Sequence, residues 1–258
     1  MFEIKLKSYC KKLNDHNAYA LKASFEDEGI SIEDLDDLVY LGANSYLQIA
    51  VKIGGAEANS DIITCLRRGV SDIVAPMVET PYAAHKFVAA MKSQTLALRT
   101  LGVKAHLNLE THTAAVNSKS IIQDHSDYIS GIVVGRSDLA QSLGLTKSDV
   151  DSKGVMEVAS SVFTHAKLAG LTTTLGGSVS IKSASCIKSL ADAGLLDRFE
   201  TRAVIFNVGP SHSEDDIKSL ISMALEYEQL LLERRMSYCE VRAYSLRQRI
   251  KSLEGRKE

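Results

Sequence analysis

The stretch GIVVGRSDLAQSLGL, residues 131–145, begins as an apolar run and turns polar at Gly135, Arg136, Ser137 and Asp138. A short run rich in β-branched residues that is bounded by glycine indicates a buried strand. The residues after Asp138 return to the spacing of a helix. The stretch therefore predicts a β-α unit with a glycine, a cation and a carboxylate at the carboxyl end of its strand.

The same alternation of strand and helix recurs along the chain. Helical spacing separates the strand candidates, for example at 56–68, 81–94, 154–169 and 180–193, and the strand candidates lie at 18–26, 47–53, 72–78, 104–110, 131–135, 171–176 and 203–209. Strict alternation implies parallel strands with right-handed crossovers. Units of about 30 residues fit a (β/α)8 TIM-type barrel. Since only seven strands are evident, one unit is missing, degenerate or hidden in the first 17 residues.

A doubly wound nucleotide-binding sheet is the competing architecture. It would show a glycine-rich turn between a strand and a helix, and the paired glycines in KIGGAEA and TLGGSVS give neither GxGxxG nor GxxxxGK[ST]. With three prolines and no low-complexity linker, residues 1–212 are predicted to form one barrel domain.

Residues 213–258 are predicted to form a C-terminal helical extension. Ser213 and the acidic residues after it are typical of a helix start, and the segment is long enough for a helix of roughly 60 Å. Its apolar residues form two stripes in different phase, and the first, from Ile217 to Leu231, is expected to cover the barrel. The second, within 236–254, is expected to pack on a neighbouring subunit and form a homo-oligomer. The alternative is that it folds back on its own barrel.

Composition excludes several classes of protein. The 258 residues carry 30 basic and 32 acidic side chains without a basic block, which argues against a nucleic-acid partner. No signal peptide and no membrane span is evident, so a cytoplasmic protein without a membrane partner is expected. The four cysteines lie far apart and form no CxxC pair, which argues against a zinc site and a disulfide framework.

Polar residues stand at the carboxyl ends of the predicted strands, where a parallel barrel binds its ligands. Several of them are carboxylates, which repel one another at close range unless a cation lies between them. Oxygen ligands of this kind suit Mg²⁺ or Mn²⁺ better than zinc. The residues at the strand ends are Glu26, Asp27 and Glu28, then Lys52, Glu79, Glu110, Arg136 with Asp138, Ser178 and Asn207.

Three segments between about residues 45 and 145 resemble one enzyme family. GIVVGRSDLAQSLG is similar to the sixth-strand signature of the HpcH/HpaI aldolase and citrate lyase family, in which an Asp after the strand binds metal. HLNLETHTA resembles the preceding strand, whose terminal Glu is the other metal ligand, and VAPMVETPYAA resembles the family's Pro-Met-Val strand. The resemblance implies that Glu110 and Asp138 bind Mg²⁺ or Mn²⁺.

The resemblance also implies an activity. It is that of a metal-dependent carbon–carbon lyase or aldolase acting on a 2-oxo acid or an acyl thioester such as an acyl-CoA, through an enolate. In the strand corresponding to AVKIGG the family has an Arg that assists the enolate oxygen, and this chain has Lys52. Lysine supplies the charge without the planar fork of arginine. Arg136, Pro76 and Met77 are the other substrate-binding candidates.

The acid–base residue is expected in the loop FEDEGIS. The aldolase branch of the family places an Asp and a His in the corresponding loop, but this loop has no histidine. Glu26 or Glu28 could act as the base if desolvation raised its pKa toward neutrality.

Each candidate residue also has a structural explanation. Glu110 and Asp138 could be helix caps, Glu26 and Glu28 a solvated turn, and Lys52 and Arg136 ion-pair partners. Two other functions therefore stay open. One is a Schiff-base aldolase with Lys52 as its nucleophile, and the other is a non-catalytic barrel that acts as an assembly or binding protein.

Overall fold

The chain folds into a closed eight-stranded barrel surrounded by helices. A computed structural model describes residues 2–26 and 28–254, except for the side chains of Phe2 and of residues 235, 237–239, 241–243 and 245–254. The strands are β1 (Ala18–Ser24), β2 (Gln48–Lys52), β3 (Asp72–Ala75), β4 (Lys104–Asn108), β5 (Gly131–Gly135), β6 (Thr172–Gly176), β7 (Arg198–Glu200) and β8 (Val204–Asn207). The predicted barrel and its seven strand candidates are confirmed.

The eighth strand is β7, which lies between the sixth and seventh predicted strands and not in the first 17 residues. Those residues form α1 (Phe2–Asp15). The other helices are α2 (Ile32–Ala43), α3 (Asn59–Arg67), α4 (Pro81–Leu98), α5 (His112–Gln123), α6 (Arg136–Ser142), α7 (Lys153–Leu168), α8 (Ala184–Asp192) and α9 (Glu214–Glu254). At three residues, β7 is too short to show a strand period in the sequence.

The expectation that all strands are parallel is wrong for β8. Strands β1 to β7 pair in parallel, whereas β8 runs antiparallel to both β7 and β1. The cause is the connection, because the turn 201–203 is far too short for a crossover and allows only a hairpin. Phe199 and Phe206 stack across this hairpin, with their ring centroids 5.5 Å apart.

Reversing β8 moves Asn207 to the opposite end of the barrel from the one predicted. Its backbone N–H donates to the carbonyl oxygen of Asn17, and its side-chain oxygen accepts from Arg198 Nε at 3.2 Å. Both partners lie at the amino-terminal ends of parallel strands. The hairpin turn, with Arg202, takes the place of Asn207 at the carboxyl end.

The long helix α9 begins as predicted and covers the barrel with its first apolar stripe. Ser213 and Asp216 cap each other's backbone N–H groups at 3.1 and 2.8 Å. Ile217 and Tyr227 are fully buried, and Tyr227 stacks on Tyr9 of α1. The second stripe lies outside the described side chains. In the part of the chain that is described, no helix is long and apolar enough to cross a membrane.

Polar side chains fill the barrel interior in layers. Near the amino-terminal end, Asp72 of β3 accepts hydrogen bonds from Tyr19 at 2.8 Å and contacts His106 Nε2 at 2.8 Å. His106 is therefore a packing residue of the barrel floor. Further along β4, on the same face as His106, come Asn108 and then Glu110, which belong to the carboxyl-end layer of the barrel.

Candidate active site

Glu110 is the central carboxylate of the carboxyl-end layer. It is the second residue after β4 and is 2 % exposed. Its Oε1 accepts from the backbone N–H of Met77 at 3.1 Å, and its Oε2 accepts from Asn108 Nδ2 at 2.7 Å. Two donors, one in the segment after β3 and one in β4, thus fix the plane of the carboxylate.

Gly135 makes room for this carboxylate. A Cβ atom at position 135 would lie 3.2 Å from Glu110 Cβ and would overlap Glu110 Oε2. The φ of Gly135 is −85°, which any residue can adopt, so the glycine is required by space and not by backbone conformation. This close approach of β4 and β5 explains why the apolar strand 131–135 ends in glycine.

Lys52 joins two carboxylates at the end of β2. Its Nζ lies 2.8 Å from Glu26 Oε2 and 3.8 Å from Glu110 Oε1, and its side chain is only 9 % exposed. The structure therefore brings together Lys52, Glu26 and Glu110, three of the predicted site residues. Asp27, the middle residue of the predicted acidic turn, lies outside the described residues.

Asp138 is close enough to Glu110 for their charges to interact. Burial raises the pKa of Glu110, and repulsion from Asp138 adds to this effect, while attraction to Lys52 opposes it. Asp138 itself is exposed, in the first turn of α6. The two predicted metal ligands therefore lie at one edge of the barrel, one buried and one open to solvent.

The alternative that Glu110 caps a helix does not fit its contacts. The N-cap of α5 is Thr111, whose side chain accepts from Ala114 N at 3.1 Å. Thr111 is held in turn by Glu79, whose Oε1 accepts from Thr111 Oγ1 at 2.7 Å. Glu79 therefore supports the start of α5.

The two residues after β3 have different surroundings. Pro76 is buried, whereas Met77 is 48 % exposed and has a φ of +51°, an uncommon conformation for a residue with a side chain. This conformation accompanies the hydrogen bond from Met77 N to Glu110. Met77 is thus tied to the site through its backbone.

Arg136 does not enter the site. Its side chain is 0 % exposed, and its guanidinium forms an ion pair with Asp151 and donates to the carbonyl oxygens of Gly176 at 3.1 Å and Gly177 at 3.2 Å. These contacts tie α6 to the loop after β6. The predicted substrate contact of Arg136 has no support in this position, and the ion-pair alternative agrees with it.

Glu28 lies away from Glu110. Its Oε2 accepts from the backbone N–H of Ser24 at 3.1 Å, and burial raises its pKa while Lys22 and Arg202 lower it. Lys22, in β1, forms an ion pair with the buried Glu200 of β7. Glu28 therefore belongs with a second group of charged residues, which the sequence analysis missed.

Asn108 is the other residue that the sequence analysis missed. It precedes Glu110 by two residues on the same face of β4, which is the signal that could have identified it. Its Nδ2 binds Glu110, and its buried Oδ1 has no hydrogen-bond partner among the described residues.

The donor set suits a hard cation. Glu110, Asp138 and the unpartnered Asn108 Oδ1 are all oxygen donors, which Mg²⁺ and Mn²⁺ prefer. No cluster of three or more metal-ligating side chains occurs in the described part of the chain. A cation here would thus depend on substrate and water oxygens to complete its shell.

Comparison with known sequences identifies the family. Residues 34–188, more than half of the chain, match the sequence profile of HpcH/HpaI aldolase/citrate lyase. The chain belongs to this family. The matched residues include Lys52, Glu110 and Asp138. Comparison with curated proteins finds no match.

Solved structures, including those of HpcH/HpaI proteins, share the fold. An HpcH/HpaI aldolase/citrate lyase family protein from Burkholderia cenocepacia J2315 superposes with a TM-score of 0.61 at 19 % identity, covering 92 % of this chain and 90 % of the other. The citrate synthase SbnG gives 0.56 at 16 % identity, covering 87 % and 98 %. The HpcH/HpaI aldolase from Desulfitobacterium hafniense DCB-2 gives 0.54 at 14 % identity, covering 64 % and 71 %. At these identities the likeness shows the barrel and not the substrate.

Proposed function

We propose that this chain is a divalent-metal-dependent carbon–carbon lyase that acts on a 2-oxo acid through its enolate. The observation that carries the proposal is the buried Glu110 carboxylate, electrostatically coupled to Asp138 and 3.8 Å from the Lys52 ammonium. Glu110 and Asp138 would hold Mg²⁺ or Mn²⁺. When bound, the ion would supply a Lewis acid for the carbonyl oxygen of the substrate.

Lys52 is proposed to attract the anionic oxygens of the substrate. It is buried, so its charge acts in a medium of lower effective dielectric than water and is strongest on a neighbouring anion. Glu26 orients it from 2.8 Å. Met77, placed by its backbone bond to Glu110, and the buried Pro76 would form the wall beside the bound 2-oxo acid.

Glu26 is proposed as the base because it reaches the site, whereas Glu28 does not. In the synthetic direction the base takes a proton from the carbon next to the 2-oxo group, the new carbon–carbon bond forms to an aldehyde, and the aldehyde oxygen gains a proton. In the cleavage direction the same proton transfers run in reverse. Each direction leaves the number of protons and electrons unchanged.

The contacts of Lys52 favour this reaction over a Schiff-base aldolase. A nucleophilic lysine must be a neutral amine, whereas the carboxylates of Glu26 and Glu110 favour the ammonium form. A non-catalytic barrel is less favoured, because burying the Glu110 carboxylate and the Lys52 ammonium costs free energy.

We also propose a cytoplasmic homo-oligomer. Much of the first stripe of α9 packs on its own barrel, where Ile217 and Tyr227 are buried. The helix continues to Glu254, and residues 236–254 are proposed to pack on a second copy of the chain.

The test is a calorimetric titration with Mg²⁺ or Mn²⁺ in the presence of pyruvate. Glu110→Gln and Asp138→Asn should each lose the ion and turnover together while remaining folded. Glu79→Gln is the matched control, because Glu79 is a neighbouring carboxylate that serves α5, and it should bind the ion normally. Retention of wild-type affinity by both site variants would remove the basis of the proposal.

A further inference from the structure

The wall of the barrel is incomplete on one side. Strand β8 pairs with β1 only at Ala18, Ala20 and Leu21, so the last three residues of β1 have β2 on one side and no strand on the other. Lys22 N donates to the carbonyl oxygen of Ala203 in the hairpin turn at 2.8 Å. Further along β1, the backbone N–H of Ser24 donates to the carboxylate of Glu28, where a neighbouring strand would otherwise supply the acceptor.

A pocket of about 880 Å³ opens at this gap. We call it the lateral pocket. It is bounded by β1, the loop after it, α2, the hairpin turn and α9, and it has an apolar floor beneath a charged rim. The floor residues are Ala23, Ile30, Leu38, Leu41, Ala203, Leu231 and Leu232, and the rim residues are Lys22, Glu28, Asp34, Asp37, Arg202, Glu228 and Arg234.

The lateral pocket reaches the interior of the barrel through Lys22. The ion pair of Lys22 with the buried Glu200 of β7 places its side chain inside the barrel. In the parallel register Lys22 faces Ala50, two residues before Lys52, so the Cα atoms of the two lysines are roughly 8 Å apart. A molecule that spans the lateral pocket and the Lys52–Glu110 site would have to pass the Lys22–Glu200 ion pair.

The charges on the rim largely cancel. Four carboxylates, Glu28, Asp34, Asp37 and Glu228, face three cations, Lys22, Arg202 and Arg234. Arg234 is paired with Asp37, Arg202 lies 3.8 Å from Glu228, and Lys22 is paired with Glu200. Among the described residues that line the lateral pocket, no cluster of cations is available for the phosphates of a coenzyme A arm or for a second carboxylate.

We propose that the lateral pocket binds the aldehyde half of the substrate, and that this half is an uncharged aliphatic aldehyde. The apolar floor would take the alkyl chain, while the carbonyl end would point past Lys22 to the site. The proposal rests on the proposed lyase function for its chemistry and selects the aldol class over the acyl thioester class. The bond that forms or breaks joins the carbon next to the 2-oxo group of the acid to the carbonyl carbon of the aldehyde.

Leu232 offers a variant that changes the lateral pocket without touching the site. It is an exposed floor residue of α9, as Leu225 is an exposed residue of the same helix outside the pocket. Leu232→Trp should obstruct the apolar floor of the pocket, and Leu225→Trp is the matched control. Leu232→Ala should enlarge the pocket. It is a second variant at the same position in case the tryptophan perturbs folding.

Two measurements separate the inference from the proposed function. The first measurement is the exchange of the pyruvate methyl protons in D2O, monitored by NMR. This exchange needs only the 2-oxo acid half, so its rate should be the same in all three variants. Aldol addition of pyruvate to propanal, butanal, pentanal and hexanal should show KM falling about fourfold for each added CH2 in the wild type and in Leu225→Trp. Leu232→Trp should lose this dependence on chain length, and 6-oxohexanoate should be a poorer substrate than hexanal.

Binding of 1-hexanol, measured by calorimetry, tests the lateral pocket without any chemistry. The wild type and Leu225→Trp should bind it and Leu232→Trp should not; if binding is equal in all variants, or if 6-oxohexanoate is preferred to hexanal, the inference is wrong. Loss of methyl exchange together with normal 1-hexanol binding would refute the lyase function and leave the pocket in place. If Leu232→Trp alone dissociates an oligomer, measured by sedimentation, a second copy occupies the pocket and the inference is overturned.

Discussion

Replacing Gly135 by alanine should damage the site through a single methyl group. The backbone at Gly135 is compatible with alanine, so the effect is steric. The new carbon would lie 3.2 Å from Glu110 Cβ and 3.4 Å from Glu110 Cδ, and it would overlap Oε2. Glu110 cannot move aside freely, because Met77 N and Asn108 Nδ2 hold its two oxygens.

The expected size follows from these contacts. Overpacking of a buried site costs about 1–3 kcal/mol, and losing one hydrogen bond to a carboxylate costs about 1.5–3 kcal/mol. The two costs do not add fully, because moving Glu110 relieves the overlap but breaks a hydrogen bond. We therefore expect a loss of about 2–4 kcal/mol in the free energy of unfolding. For a chain of this size that is a fall in Tm of roughly 4–8 °C.

The assay is urea unfolding with a parallel Mg²⁺ titration in the presence of pyruvate. Gly154→Ala is the control, because nothing lies within 4 Å of a Cβ at that position, and an alanine in the first turn of α7 should stabilise the chain by roughly 0.5–1 kcal/mol. Glu110→Asp shortens the side chain and should partly rescue the stability of Gly135→Ala. If Gly135→Ala behaves like Gly154→Ala in both assays, Glu110 does not occupy the space against β5.

Three further outcomes are expected. Lys52→Met should abolish turnover and, because Lys52 lowers the pKa of Glu110 against burial, should move the loss of Mg²⁺ binding on acidification to higher pH; an unchanged pH profile would separate the two residues. Truncation after Arg235 should dissociate the oligomer in sedimentation experiments, and an intact oligomer would rule out the proposed contact. Burial raises the pKa of Asp72, but the bonds from His106 outweigh this and hold it below its usual value, so this stabilisation is complete above about pH 4 and is lost as the pH falls through the folded pKa. In Asp72→Asn the free energy of unfolding should therefore fall less steeply with acidification than in the wild type. An equally steep fall would argue against a charged Asp72.

The sequence predicted seven strands because each is a run of four or more apolar or alternating residues. β7 was not predicted because it has only three residues, of which Arg198 and Glu200 are polar and face the barrel interior. The antiparallel direction of β8 was not predicted for a related reason. Without a recognised β7, the segment after α8 looked like an ordinary crossover, and Asn207 was placed at the wrong end.

At the site, period-two alternation and strand ends were enough to find Glu110, Lys52 and Glu26. For Arg136 the sequence left substrate contact and an ion pair as alternatives, because its partner Asp151 comes near it only in three dimensions. Lys22 met the same criterion as Lys52, a lysine within an apolar strand, but its partner Glu200 lies 178 residues away. Pairs of such sequence separation leave no local pattern.

The antiparallel closing strand sets the order in which the barrel can be completed. β1 and β7 are the two strands that β8 joins, and each keeps a row of unpaired backbone groups until Val204–Asn207 is in place. During synthesis these open edges persist until just over four fifths of the chain has been made. Contacts between β1 and β8 are of very high sequence separation, so their formation is slow compared with the hairpin β7–β8. A chain interrupted before Asn207 would expose two edges competent for pairing with other chains, and aggregation rather than misfolding of the site is its expected fate.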